Sequence, residues 1–237
     1  MISARLLVDP PLRAAENMAR DEAILKFRHI PTLRFYRWAK PTLSLGWFQQ
    51  AEGLPLKDVK KRGGEAVRRP TGGKAILHEN ELTYSLCAPE SGALGRGPRL
   101  AMQLIHETFA KELAAQCGIS CSIRGTTSLK SDIPGSHWCF EDSSPMDLIC
   151  KGRKLLGSAA RRRNGWVLFH GSLVVSPPRE TPDIAGTGKS PDTFALSNAL
   201  SQAFGLSFSH GEWEREELEE AQTLALRYCD STHLFRR

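Results

Sequence analysis

Apolar residues recur at helical spacing through residues 14–28, where Met18, Ala19, Glu22, Ala23 and Leu25 share one face. Alternation follows: residues 33–38 predict a strand, Lys40-Pro41 breaks it, and residues 42–47 predict another, so the two read as a hairpin-like pair. A basic surface helix over 55–62 stops at Gly63-Gly64, and strands are predicted over 65–69, 75–78 and 82–86. The Gly/Pro/Ser-rich run 89–98 is a loop. A long helix over 99–117 carries Leu100, Leu104, Phe109 and Leu113 on one side and ends at Gly118.

Beyond it, residues 121–124 predict a brief strand and 125–137 a polar loop. Residues 146–150 form a strand, Lys151-Gly152 a turn, and 155–161 and 166–175 two further strands. The Pro/Gly/Ser-rich stretch 176–191 reads as an exposed connection. Helices near 192–204 and 215–229 carry apolar faces expected to pack on the sheet. Residues 1–18 show a short apolar patch but no secretory h-region or cleavage site. With no repeat and no linker, residues 1–237 are expected to form one domain. Hairpins with segregated helices point to an α+β class rather than repeating βαβ units.

Composition narrows the function classes. Hydrophobic residues make up 41% and charged residues 24%, ordinary values for a globular chain. No run approaches the roughly 20 apolar residues of a membrane span, so a cytoplasmic protein without a membrane partner is expected. Six cysteines in 237 residues are too sparse for a disulfide scaffold. Cys117 and Cys121 have the spacing of a metal knuckle but no second pair, so buried free thiols are expected and no metal. The net charge of +6 gathers at 57–62, 68–69 and 151–163. It suits an acidic partner, while no helix-turn-helix, zinc finger or aromatic RNA-binding motif points to nucleic acid.

The stretch 68–86, RRPTGGKAILHENELTYSL, concentrates candidate chemistry. Its paired glycines permit a tight turn and close backbone approach to a ligand. Its arginines carry forked donors suited to a carboxylate or phosphate. Lys154 enters an apolar run with Leu155, Leu156, Gly157 and Ala159, which implies partial burial. A cation beside a cysteine favours thiolate and stabilises a developing oxyanion. Cys139, between Trp138 and Phe140 in a loop before that run, reads as core or as nucleophile. Cys150 lies inside a predicted strand, where a thiol is inert. His137 is too close along the chain for its side chain to face Cys139. His78 and His170 are lone strand histidines, a pattern that is more often structural.

Three blocks in order resemble the lipoate ligase and octanoyltransferase family, related to the biotin protein ligases. They are the RR-x-[ST]-GG-x-A-x-x-H loop at 68–78, GRKLLGSAARRRNGWVLFHGSL at 152–173, and NMARDEAIL at 17–25 followed by LRFYRWAKPTLSLGWFQ at 33–49. The resemblance implies the biotin/lipoate protein ligase-like fold, a central mostly antiparallel or mixed sheet flanked by helices. It implies Lys154 as the essential lysine of the G-x-K-x-x-G-S-A block. The Cys-Phe dipeptide at 139–140 is similar to that of LipM-type octanoyltransferases, which carry their acyl-accepting cysteine there. The same resemblance places Arg69, Gly72, Gly73, His78, Ser158, Ala159, His170 and Gly171 around the acyl chain. Lys74 and Ala160 depart from the pattern, where relatives carry Arg or Gly and Gln.

The implied activity moves octanoyl from octanoyl-acyl carrier protein, through a Cys139 thioester, to a lysine of a lipoyl carrier domain. Such carriers are the E2 subunits of 2-oxoacid dehydrogenases and the glycine cleavage H protein, and no cofactor is needed. The alternative is an ATP-dependent lipoate-protein ligase, using ATP and Mg with Cys139 merely packing, or a lipoyl amidotransferase. The lack of an accessory C-terminal domain leans toward the transferase. A non-catalytic acyl-carrier-binding or lipoate-binding protein is the reading from another class, and a biotin ligase is disfavoured because no Gly-Arg-Gly-Arg motif occurs.

Overall fold

The computed structural model describes residues 1–133, 135–179 and 181–236. The first half runs β1 (Ile2–Val8), α1 (Ala14–Phe27), β2 (Thr32–Tyr36), β3 (Thr42–Leu45), α2 (Leu56–Lys61), β4 (Glu65–Arg68), β5 (Ile76–His78) and β6 (Asn80–Pro89). There follow α3 (Pro98–Cys117), β7 (Cys121–Ile123), β8 (Leu148–Cys150), β9 (Arg153–Arg163) and β10 (Trp166–Ser176). The chain continues through α4 (Thr193–Phe204), β11 (Leu206–His210), α5 (Arg215–Cys229) and α6 (Ser231–Leu234). Eight strands form one sheet in the order β11-β1-β2-β6-β10-β9-β8-β7, and β4-β3-β5 form a second. In the large sheet β1 runs parallel to β11 and β2, and the remaining pairs are antiparallel. This is the expected mixed, mostly antiparallel sheet with helices, an α+β architecture.

The two faces of the large sheet differ in chemistry. Leu33 and Phe35 of β2, Leu82, Tyr84 and Leu86 of β6, and Val167 and Phe169 of β10 enter the main core, which α3 and α4 cover. The intervening residues turn to the other face, where Arg34, Ser85 and His170 are buried against α1 and Ser172 donates to Glu81. There the Asp21 carboxylate accepts from Arg34 Nη1 at 2.7 Å, Tyr36 Oη at 2.8 Å and Ser85 Oγ at 2.8 Å. Burying a charge is tolerated only when it is paired and hydrogen-bonded in this way. Burial opposes the ionised carboxylate, but Arg34 and the hydrogen bonds from His170 and Ser85 outweigh it and hold the Asp21 pKa below its ordinary value.

Several expectations need correction. Residues 33–38 and 42–47 do not form a hairpin, since β2 belongs to the large sheet and β3 to the small one. Leu12 bridges Trp38 in parallel, so the chain continues onward past β2 before Pro41 instead of reversing. On α3, Leu100 is exposed, and the buried stripe is Ala101, Ile105, Phe109 and Leu113 at four-residue spacing. Helix α5 packs mainly on α1, where Ala221 and Tyr228 join Ala14, Met18, Ala19 and Ala23 and Arg227 pairs with Glu22, and it reaches the large sheet through the buried Glu217–Arg5 pair. The connection 176–191, of which Glu180 lies outside the described residues, is not simply exposed. Ile184 is buried, and Ala185 N–H donates to the Lys154 carbonyl at 2.7 Å. The predicted polar loop 125–137 likewise includes Pro134, outside the described residues. Strands β1 and β11 went unpredicted.

Candidate functional site

Strand β9 sets the site through a local irregularity. Leu148 pairs with Leu156, but Ile149 pairs with Lys154, leaving Leu155 as the extra residue of a β-bulge. Leu155 and Leu156 consequently both enter the main core, and Lys154 turns to the opposite side with Gly157. Lys154 is fully buried, with 1% of its surface exposed, more than the partial burial its sequence context implied.

Its ammonium has two partners there. Nζ lies 2.7 Å from Asp147 Oδ2, 2.8 Å from the Cys139 carbonyl and 3.5 Å from Cys139 Sγ. Burial works against the charge, but Asp147 and then Cys139 outweigh it, so the ammonium's pKa stands above its ordinary value. Asp147 is 2% exposed and is held by the Ser144 N–H at 2.6 Å. Gly157 makes this arrangement possible, because a Cβ there would fall 2.8 Å from Lys154 Cε and 2.9 Å from Nζ.

Cys139 is half-buried, and its backbone N–H donates to the Ala75 carbonyl at 2.8 Å, which ties its loop to the small sheet. It forms part of the wall of a cleft between the two sheets, lined also by Met18, Trp38, Ser44, Ile76, Ala159 and Ser172. Of the residues expected around an acyl chain, Arg69, Gly73, His78, Ser158, Ala159, His170 and Gly171 line this cleft. Gly72 does not; its carbonyl accepts from Arg69 at 2.8 Å. Cys150 lies apart, buried on β8 in the main core opposite Cys121. His137 is exposed, and its carbonyl accepts from Ala75 N–H and from the Gln49 amide.

The histidines are anchored on both nitrogens. His78 meets Ser44 Oγ at 2.6 Å and Glu81 Oε1 at 2.7 Å, and its ring stacks on Trp38 at 4.2 Å. His170 contacts Asp21 through Nδ1 at 3.5 Å and Thr71 Oγ1 through Nε2. It therefore ties the Pro70–Gly73 loop to α1, and burial holds its pKa below the ordinary value. Gly171 is required by close packing, since a Cβ would fall 2.2 Å from Ser158 Oγ.

Ser158 has no proton left for a ligand. His106 Nδ1 faces the Met146 carbonyl at 2.5 Å, an acceptor only, so the ring proton sits there and Nε2 accepts. The Ser158 hydroxyl, 2.7 Å away, donates to Nε2, and Tyr84 Oη donates to Ser158 across 2.7 Å. Burial lowers the His106 pKa, in keeping with a neutral ring.

The arginines of the signature loop also differ from expectation. Arg68 donates to the carbonyls of Gly46, Gln49 and Leu234 at 2.6–2.7 Å. Arg69 donates to Ser44, Gly72 and Lys74 carbonyls. Their forks clamp the backbone of the loop instead of standing open for an anion, and desolvation brings the Arg69 pKa down to about 10. Asp147 and Gly157 were not singled out from sequence. A lone acid in the apolar run Met146–Cys150 was the available signal for the first.

Comparison with known proteins gives concordant matches. Residues 13–183 match the lipoyl protein ligase A/B catalytic domain. An octanoyltransferase LipM from Moorella thermoacetica is 43% identical over 68% of this chain and 60% of its own length. The aligned part thus spans less than two thirds of that relative. Another, from Kyrpidia tusciae, is 31% identical over 98% of both chains. Among solved structures, a T. acidophilum protein with bound lipoic acid has a TM-score of 0.79 at 22% identity, covering 99% of this chain and 100% of its own. A lipoate-protein ligase A bound with ATP has a TM-score of 0.78 at 23% identity, covering 99% of both chains. At these identities the solved structures establish the shared fold.

Proposed function

The chain belongs to the lipoyl protein ligase A/B catalytic domain family, and from that premise we propose that it is an octanoyltransferase working through Cys139. The observation that carries this reading is the buried Lys154 ammonium 3.5 Å from the Cys139 sulfur, at the wall of the cleft. The similarity to LipM octanoyltransferases supports the same choice.

The first step breaks a carrier thioester. The Cys139 thiolate attacks the octanoyl carbonyl, and negative charge passes to the carbonyl oxygen. Lys154 is a fixed cation beside the reacting sulfur, where such charge develops, and its placement is set in advance by Asp147. Collapse expels the carrier's thiolate, which takes up a proton, and leaves octanoyl on Cys139. In the second step the ε-amine of a lysine on a lipoyl carrier domain attacks that thioester. The amide forms, the amine loses a proton, and Cys139 leaves as thiolate. Passing through a covalent intermediate divides one transfer between two large carriers into two smaller steps. Thioester to amide is downhill, so the cycle consumes no nucleotide. An octanoyl-acyl carrier protein is the donor, and acidic carriers suit the chain's net charge of +6.

The test is intact-protein mass spectrometry after mixing with octanoyl-acyl carrier protein without ATP. A hydroxylamine-labile octanoyl adduct on Cys139 is expected. No adduct, with octanoyl-AMP formed once ATP and octanoate are supplied, would make the chain a ligase and leave Cys139 a packing residue.

A further inference from the structure

Two guanidinium groups, those of Arg161 and Arg236, stand on the outer side of the Pro70–Gly73 loop, and two more are held within it. Arg68 and Arg69 are buried at its base, and Arg236 and Arg161 stack on Trp47 with their Cζ atoms 3.9 and 4.9 Å from its ring centroid. Among the described residues none of the four meets a carboxylate. Burial depresses the Arg68 pKa and Arg236 adds to it; burial likewise depresses that of Arg69, opposed by Cys139, with Arg68 adding the smallest part. Charge left uncompensated in this way invites an anion.

The position of the cluster is informative. Arg161 lies on β9 two residues beyond Ala159 and four beyond Gly157, on the strand face that lines the cleft. At strand rise, Arg161 is about 13 Å along the strand from Gly157, beside which the Lys154 ammonium sits. Its Nη1 donates to the Pro70 carbonyl at 3.1 Å, and Trp47 N–H donates to the Thr71 carbonyl at 2.8 Å. The cluster and the cleft therefore share the Pro70–Gly73 loop as a common wall. Beside it Phe48 is 89% exposed, and the Gln49 amide binds the carbonyl of His137, two residues before Cys139.

We propose that Arg161 and Arg236, on the Trp47 platform, bind the phosphodiester of a phosphopantetheine arm that delivers the acyl thioester to Cys139. This deepens the transferase reading and rests on it. A donor bound through a pantetheine chain has its thioester at one end and its phosphate at the other, which suits a reacting sulfur and a cationic platform on either side of one loop. The guanidinium pair is the group suited to a phosphate oxygen pair.

The site is tested with two small donors, S-octanoyl-phosphopantetheine and S-octanoyl-pantetheine, reading acylation of Cys139 by mass. The wild-type protein should use the phosphorylated donor with roughly tenfold higher kcat/KM, the worth of one charged hydrogen-bonding pair. In the double variant Arg161→Gln/Arg236→Gln that ratio should fall to near one. Loss of the Pro70 bond alone would slow both donors alike and leave the ratio where it was, which would overturn the assignment. Equal use of both donors by the wild type would also overturn it while leaving Cys139 chemistry standing. Acylation by neither donor would instead sink the transferase reading, and this site with it. Competition by ATP against the phosphorylated donor, abolished in the double variant, would assign the cluster to a nucleotide and reject the pantetheine arm.

Discussion

Gly157 has no side chain because Lys154 occupies the space one would fill. A methyl group there would lie 2.9 Å from Nζ, inside ordinary contact, and the adjacent Asp147 Oδ1 closes the way out at 3.3 Å. Gly157→Ala should therefore leave the fold intact but push the ammonium off the Cys139 sulfur. A displacement of about 1 Å at a reacting centre can cost about 100-fold in rate. The check is single-turnover acylation of Cys139 beside the thermal unfolding midpoint. Unchanged acylation would show that Lys154 does not act from this position.

Cys139 and Cys150 make opposite predictions. Cys139 is half-buried at the cleft and in contact with Lys154, whereas Cys150 is 7% exposed within β8 and packs in the main core. Cys139→Ala should abolish the octanoyl adduct. Cys150→Ala should retain it and lose only packing stability, of the order of 1 kcal/mol for one buried sulfur. Mass mapping of the adduct distinguishes them, and an adduct surviving in Cys139→Ala would assign the nucleophile elsewhere.

Asp147 is expected to act through Lys154. It opposes the burial that would otherwise strip the ammonium of its proton. Asp147→Asn keeps the shape and removes that support, so the lysine pKa should fall. The rate of Cys139 acylation should then drop at lower pH than in the wild type, moving the alkaline limb of the profile toward acid. A purely structural role would lower the rate at every pH without shifting the limb, and that outcome would reject the linkage.

How much of this was legible in the sequence follows from how local each feature is. Lys154, Cys139 and the Gly-Gly loop lie in contiguous blocks whose residue order carries the chemistry. The contact between Lys154 and Cys139 could be anticipated from those blocks, although they lie on different elements. Asp147 and Gly157 gain meaning only across the bulge at Leu155, and a one-residue change of strand register leaves no mark in composition. Strand β2 alternates clearly, but nothing in residues 33–47 tells whether the next strand returns beside it or enters another sheet. Strand β11, whose Leu206 and Phe208 alternate with serines, carried a readable signal too short to separate from the end of α4. The arginines of the signature loop were read as ligand groups because their carbonyl partners, Gly46 and Leu234 among them, are remote in sequence.

The Asp21–Arg34 pair predicts a stability cost. Both side chains are fully buried, and Arg34 also binds Asp9 at 2.7 Å. Arg34→Met would leave the fully buried Asp21 carboxylate without its cation, while Asp9 keeps Arg20 at 2.9 Å, a loss of about 3–5 kcal/mol. Urea denaturation should show a midpoint shift of that size with an unchanged slope. A shift under about 1 kcal/mol, typical of exposed pairs, would mean that water reaches the site.

His106 and His170 predict a pH dependence of the same midpoint. Burial holds both folded-state pKa values below the ordinary 6.5. An unfolded chain therefore binds more protons than the folded one once the pH falls under about 6.5, and stability declines from there through the lower folded values. Asp21 has a depressed folded pKa, so its contribution is present above the ordinary carboxylate value of 3.8 and is lost as pH falls further. The urea midpoint should thus be flat above about pH 7, decline as the pH falls below about 6.5, and decline further below about 4. His106→Gln, which retains a side-chain amide for the Met146 carbonyl, should flatten the upper decline in part while the lower one persists. A wild-type midpoint that stays level from pH 7 to pH 5 would show that these imidazoles titrate alike in both states.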